Sequence, residues 1–225
     1  MICIVPLAGP AVYSENGQLR QLELIDGLPL FHRLLSARSW QTEIAPEHYI
    51  FVLRAGEEFK ELKIVVEKWY PKAKTATIST LTKGALLSAL AGLALVDQSA
   101  AALTIDLVDI DFSLQESPSR LFAKKSSVGG LLPVFKSDQA KFSYAKMDGS
   151  QVLATVEKKV ISDHASAGVY FFRDSSVFLK AAAHSLTHEA ELNHKGLLFL
   201  CPAMNGVIAS QLEVLGLEAL AVHCY

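Results

Sequence analysis

Asp109 and Asp111 close a run of distinctive composition, Ala102-Leu103-Thr104-Ile105-Asp106-Leu107-Val108-Asp109-Ile110-Asp111-Phe112. Its first half is apolar and β-branched, the composition of a strand buried on both faces. Its second half delivers carboxylates where such a strand runs out of core. In an open α/β sheet the carboxyl ends of the strands form the crevice in which ligands bind. Two apart on an extended chain, Asp109 and Asp111 project to the same side and could share one divalent metal. Acidic residues that merely terminate a strand are the plainer alternative, and the rest of the chain must decide.

Other candidate chemistry is thinner. His184 and His188 lie four apart on an expected helix, with Glu189 beside them and His194 beyond. That spacing could bind zinc, but the Glu does not stand between the histidines as in the zinc-protease motif, and a solvated helix end is the simpler reading. Ser143, Ser166 and the cysteines lack the strand–turn–helix context of an activated nucleophile.

The elements that would position the carboxylates follow from periodicity. Ile2 to Leu7 reads as a buried first strand, closed by the breakers Ala8-Gly9-Pro10. Gly27-Leu28-Pro29 turns the chain into a helix whose apolar face is Leu30, Phe31, Leu34 and Leu35. Tyr49 to Leu53 is a second strand. Glu57 to Tyr70 is a periodic helix with Phe59, Leu62, Val65, Val66 and Trp69 on one stripe, stopped by Pro71. Thr75 to Ile78 is a short strand, and Thr82 is placed to cap an Ala- and Leu-rich helix running to about Val96. Strand and helix alternate so far, which favours parallel strands covered on both faces. Beyond Phe112, strand-like runs cover 126–135, 142–147, 151–156 and 165–172, with Asp148-Gly149 as a hairpin turn. Helices are expected over 175–183 and 202–210, and a last strand over 219–223.

A net charge of −2 argues against a general nucleic-acid surface, which needs a basic face. A single nucleotide needs only a few amides and one or two cations. Cys3, Cys201 and Cys224 are odd in number and scattered, so a reducing, cytoplasmic setting is expected. The short apolar N-terminus has no cationic region before it and reads as a strand, not a signal peptide. No apolar run reaches membrane-spanning length. The expectation is one α/β domain over 1–225, with a nucleotide-binding half at 1–112 and a second half at 113–225. A homo-oligomer is left open.

Val156-Glu157-Lys158-Lys159, followed by Ala165-Ser166-Ala167-Gly168-Val169-Tyr170-Phe171-Phe172, resembles the Glu-Lys-Pro segment and Gly-hydrophobic-Tyr-Phe strand of the sugar-phosphate nucleotidyltransferases, the NDP-sugar pyrophosphorylases. The resemblance covers nearly the whole chain. It implies a glycosyltransferase-A-like, Rossmann-like fold with a mixed, mostly parallel sheet flanked by helices. It also implies transfer of a nucleotidyl group from a nucleoside triphosphate to a sugar 1-phosphate, with magnesium, in nucleotide-sugar metabolism that serves polysaccharide biosynthesis. On this resemblance Glu157 would accept from sugar hydroxyls, Lys158 would hold the sugar phosphate and Gly168 would admit the sugar closely. Gly129-Gly130 with Ser143 to Gly149 is similar to the family's sugar-binding strand and hairpin, which adds Gly130. Thr82-Lys83-Gly84-Ala85 is similar to the helix start that reads the base through free amides, and Leu7, Ala8 and Gly9 would contribute backbone on the same side. Asp109 matches the metal-binding aspartate. Asn205, at the start of a late helix, would brace the crevice.

The chain also departs from the family. The phosphate loop pattern Gly-X-Gly-X-Arg reads Gly9-Pro10-Ala11-Val12-Tyr13, with one amide, one glycine and the arginine gone. Pro-Lys-Pro-Leu reads Leu19-Arg20-Gln21-Leu22, so Arg20 would contact the phosphates with a different geometry. A second metal ligand would be expected soon after Tyr225, and Asp111 could stand in for it. Two other readings therefore stay open: an eroded relative that only binds a nucleotide or sugar ligand, and a metal-dependent glycosyltransferase using Asp109-Ile110-Asp111.

Overall fold

Strand β1 (Ile2–Pro6) shows how the sequence builds its layers. Cys3 and Val5 enter an apolar cluster on one face, and Ile2 and Ile4 enter the cluster on the other. Period-two geometry gives this result when helices cover both faces of a sheet. The computed structural model describes residues 1–225. After β1, a small hairpin of β2 (Leu24–Ile25) and β3 (Leu28–Pro29) leads into α1 (Leu30–Ala37). Next come β4 (Tyr49–Arg54), α2 (Lys60–Trp69), β5 (Lys74–Ile78), α3 (Ala85–Leu93), β6 (Leu103–Asp106) and β7 (Ile110–Ser113). The second half opens with α4 (Pro118–Lys124), β8 (Val128–Lys136), β9 (Tyr144–Asp148), β10 (Gln151–Val156), β11 (His164–Ser166) and β12 (Val169–Phe172). It ends with α5 (Ser175–Thr187), α6 (Glu189–Leu192), α7 (Leu200–Ala209), β13 (Glu213–Glu218) and β14 (Leu220–Cys224).

Ten strands form one sheet in the order β11-β9-β10-β13-β8-β12-β6-β1-β4-β5. The pairings of β1 with β4 and β6, and of β4 with β5, are parallel. Past β6, antiparallel pairing dominates and only β13 with β8 is parallel. Strand β11 also pairs with β8, so β8, β13, β10, β9 and β11 close into a small ring. Leu30, Phe31, Leu34, Leu62 and Val66 cover one face from α1 and α2. Leu86, Ala89, Phe178, Ala181 and Met204 cover the other from α3, α5 and α7. No helix is long and apolar enough to cross a membrane.

The structure adds α4, α6 and the β2–β3 hairpin to the elements read from the sequence, and four further details differ, each for a local reason. The 102–112 run is not one strand. It breaks after Asp106, and Val108 takes φ 49°, which a β-branched residue adopts only under constraint. The 165–172 run likewise splits at Gly168, φ 73°. Thr82 does not cap α3: its hydroxyl donates to Gly84 O at 2.9 Å and Gly84 is the capping residue. Strand β13, unanticipated because Gly216 interrupts a short run, lies in the interior of the sheet between β8 and β10.

Because β1, β4, β5 and β6 run parallel, their carboxyl ends share one edge. Strand β12 starts at that edge, with Val169 opposite Asp106. The residues between β6 and β7, and Gly168 before β12, are thereby brought together.

Candidate active site

The break after β6 is built by a buried ion pair. Arg38, just past α1, donates from Nε to Asp106 Oδ2 at 2.8 Å and from Nη2 to Oδ1 at 2.9 Å. Both side chains are 2 % exposed or less. Nη1 reaches the Ile110 carbonyl at 2.8 Å, and the Val108 amide donates to Asp106 Oδ1 at 2.9 Å. The guanidinium also lies 4.6 Å from the Phe112 ring centre. Asp106 is thus spent inside the protein holding Val108 in its left-handed turn, and that turn turns Asp109 out into a cleft.

The cleft has a volume of about 230 Å³ and is lined by Asp109, Glu157, Lys158 and Gly168, with Ser143 and Tyr170 among its other walls. Asp109 keeps solvent access at the cleft floor. Desolvation by the surrounding protein, reinforced by the charge of Asp106, pushes its carboxyl up to about 6, while Arg38 and Arg20 pull the other way. Glu157 is nearly buried and accepts from the Ser143 hydroxyl. Burial raises its carboxyl above the usual range, Ser143 and Lys158 oppose that, and Asp109 adds to it. Lys158 has φ 49°, and its Nζ stands 5.4 Å from the Phe199 ring centre.

Gly168 meets Asp109 directly. A Cβ on Gly168 would collide with Asp109 Oδ1, and the Leu107 amide donates to the Gly168 carbonyl at 3.1 Å. Gly168→Ala is expected to cost about 1–3 kcal/mol from left-handed strain alone. It also displaces the Asp109 carboxylate, so a melting curve should show the loss of stability and a binding assay the loss of any ligand that Asp109 contacts.

Asn205 on α7 braces β10. Its Oδ1 accepts from the Thr155 amide at 2.9 Å and its Nδ2 donates to the Thr155 carbonyl at 2.8 Å. The side-chain amide continues the ladder of β10 beyond its one residue paired to β13, just before Glu157 and Lys158. Asn205→Leu leaves both Thr155 groups unpaired, and a drop of about 2–4 kcal/mol in urea-unfolding stability is expected.

Several assigned residues lie elsewhere. Asp111 sits on β7 opposite His223 of β14, and its carboxylate is 3.3 Å from Arg33 Nη1, outside the cleft. The expected shared Asp109–Asp111 metal site is not brought together in this cleft: Asp109 lines it, whereas Asp111 does not and is engaged by Arg33. Gly130 is also corrected: it lies buried in β8, where a Cβ would press on Met204 Sδ at 3.1 Å, so it serves packing of α7 on the sheet. Its all-apolar flanks, Val128, Leu131 and Leu132, were the sequence sign of burial. At Gly84 the expected free amides are partly taken. A Cβ there would strike the Leu198 carbonyl, and that carbonyl accepts from the Leu86 amide at 3.2 Å.

In the first half, Leu7 and Ala8 are buried at the end of β1, and the Leu7 amide is spent on the Val52 carbonyl at 2.8 Å. Gly9 is exposed with open space around it. Thr82 Oγ1 is 2.8 Å from Ser88 Oγ. Arg20 follows the Tyr13–Leu19 bridge and forms no ion pair in the chain, yet its charge reaches Asp109. His184 in the last turn of α5 and His188, its C-cap, hold their rings 4.2 Å apart at a tilt of 32°, and His188 Nδ1 is 2.9 Å from the His184 carbonyl. No group of three His, Cys, Asp or Glu side chains converges as a metal cage anywhere in the protein. Ser143 and Tyr170, which line the cleft, lay inside stretches already singled out, whereas the Arg38–Asp106 pair spans 68 residues and left no local signal.

No protein-family model matches the chain. No curated protein matches it either. Solved structures do. A nucleoside-diphosphate-sugar pyrophosphorylase from Vibrio cholerae RC9 superposes with a TM-score of 0.78 at 20 % identity, over 100 % of this chain and 95 % of that one. The fold is that of the nucleotide-sugar pyrophosphorylases. The inositol-1-phosphate CTP transferase of T. maritima aligns over 99 % of this chain and 87 % of its own, with TM-score 0.67 and 15 % identity. A UDP-glucose pyrophosphorylase complexed with UDP-glucose gives 0.68 and 14 %, over 98 % and 91 %. The mixed α/β architecture expected from the sequence is therefore the observed one, but the sheet is not mostly parallel: only the pairings among β1, β4, β5 and β6 and that of β13 with β8 are parallel, because the second half returns through hairpins and antiparallel neighbours.

Proposed function

We propose that this protein transfers a nucleotidyl group from a nucleoside triphosphate to a sugar 1-phosphate or a similar phosphorylated small molecule, releasing pyrophosphate. The observation that carries the reading is the shared cleft, in which Asp109 from the sheet edge meets Glu157 and Lys158 from the second half. The folds most like this one include two pyrophosphorylases and a CTP transferase, which supports the same class of reaction.

In that reaction a phosphate oxygen of the acceptor attacks the α-phosphorus of the triphosphate. The α–β anhydride bond breaks, and its electron pair leaves with pyrophosphate. No proton transfer is required, so the work is positioning and charge neutralisation. Lys158 would hold the acceptor phosphate as a compact point charge, and Glu157, kept in place by Ser143, would accept from a sugar hydroxyl. Arg20 is the free cation on the triphosphate side, where residues 1–112 would take the nucleotide, through backbone at Leu7, Ala8 and Gly9 and the Thr82-Gly84 helix start. Residues 113–225 would take the acceptor.

A divalent ion suits Asp109. Its carboxyl is pushed up to about 6, so its charge is under-compensated, and magnesium commonly takes one or two carboxylates together with phosphate oxygens. Bound there, magnesium would offset phosphate charge as the new bond forms. Asp111, paired with Arg33, does not line this cleft. A nucleotide sugar made this way would serve polysaccharide assembly from the cytoplasm.

Thermal-shift measurements test the reading. Nucleoside triphosphates with magnesium, and sugar 1-phosphates, are both expected to raise the melting temperature, because ligands that prefer the native state stabilise it by mass action. A finished nucleotide sugar that stabilises the protein while no triphosphate does would favour a glycosyltransferase instead.

A further inference from the structure

Lys141 lines the same cleft as Lys158 but was not among the residues assigned to it. It is exposed, and its Nζ lies 4.9 Å from the Phe142 ring centre with no carboxylate within salt-bridge distance. Lys158 rests on Phe199 at the α7 side of the cleft in the same way. The two lysines thus reach the cleft from different elements, one from the loop between β8 and β9 and the other from just past β10. Neither is neutralised by an ion pair, although two carboxylates, Asp109 and Glu157, share the space.

The loop that carries Lys141 is pinned at several points. The Ser137 amide donates to the Asp163 carbonyl at 3.1 Å, and the Tyr144 hydroxyl to the Gln139 carbonyl at 2.8 Å. The Phe142 and Phe135 rings meet edge-on at 5.1 Å, and the Ser143 carbonyl accepts from the Ser166 amide at 2.8 Å. Lys141 is therefore a free charge on a fixed mount.

We propose that Lys141 is a second phosphate-binding residue of this cleft, gripping the acceptor's phosphomonoester together with Lys158. The inference rests on reading the cleft as the acceptor site. A phosphomonoester carries nearly two negative charges at neutral pH, and two uncompensated ammonium groups match it where one does not. The pair selects for a terminal phosphate: the parent sugar presents nothing that either lysine could neutralise.

Calorimetric titration of the full chain tests this, using glucose 1-phosphate, mannose 1-phosphate and inositol 1-phosphate, each beside its unphosphorylated parent. Lys141→Met is expected to weaken the best-binding ester about tenfold or more, as loss of a charge-assisted contact should. Lys141→Arg should stay within about threefold of wild type, since the charge persists. The parent sugar and the thermal shift given by a nucleoside triphosphate should not move. Lys146→Met removes an exposed lysine on β9 and serves as the charge control. Ester binding by Lys141→Met equal to wild type and to Lys146→Met would overturn the role of Lys141 and leave the functional reading standing. Equal losses for ester and triphosphate would overturn it too, by showing a general effect of charge or folding. If no ester binds the wild-type chain, both this proposal and the acceptor reading fall.

Discussion

Asp109→Asn is expected to lose about 100-fold or more of pyrophosphate release and, at pH 7.5, to melt at a higher temperature than wild type. The first effect follows from removing the one carboxylate that faces the cleft from the sheet edge, since groups that meet developing charge in the transition state are commonly worth 10²–10³-fold in rate, roughly. The second follows from its surroundings. Desolvation and Asp106 raise the carboxyl from the usual range to about 6. The folded state therefore holds this proton more tightly than the unfolded chain does. Ionising Asp109 costs stability, less than full desolvation would because the residue is open to solvent; that cost is absent below about pH 4, grows through the interval up to about 6 and is complete above it. The stability gap between Asp109→Asn and wild type should widen across that window and then level off. Activity of the wild type should fall as pH drops through about 6, because the carboxylate form is the one that acts. A variant equal to or less stable than wild type at pH 7.5 would show that the carboxylate is not under strain.

Arg38→Met is expected to destabilise the protein by about 3–5 kcal/mol, because it leaves Asp106 buried and uncompensated. Domains of this kind are stable by about 5–15 kcal/mol, so the variant should be marginal. Arg38→Met combined with Asp106→Leu should recover part of the loss, since removing both charges is cheaper than stranding one. The double variant should still bind triphosphate and magnesium poorly, because nothing then holds Val108 in its turn or Asp109 in the cleft. Urea unfolding of the three proteins decides this. A loss under 1 kcal/mol for Arg38→Met would contradict the assignment of this pair as the support of the site.

Much of the architecture was readable because it is local. The alternation in β1 and β4, the stripe of α2 and the Asp148-Gly149 hairpin are each set by residues within one element. Gly168 was read as admitting a sugar closely, and the close approach in the structure is that of the Asp109 carboxylate. What stayed hidden depends on partners far along the chain. Nothing within 102–112 says that Asp106 is claimed by Arg38, and without that pair the run reads as one strand with two metal-facing carboxylates. Gly130 fits a ligand-facing strand until Met204 is laid over it. Gly84 offers free amides until Leu198 arrives to use one. Lys141 went unnoticed because a lysine in a loop carries no periodic signal; only the shared cleft gives it meaning.

The measurement that bears most directly on the whole account is pyrophosphate release by the purified chain, scanned over four nucleoside triphosphates and a set of sugar 1-phosphates with and without magnesium. At least one pair should release pyrophosphate in step with formation of a nucleotide sugar, only with the metal, and Lys158→Ala should weaken that pair sharply while folding persists. Binding of nucleotides and sugar phosphates with no pyrophosphate from any combination would contradict it, and would mark a cleft that still holds its ligands but no longer joins them.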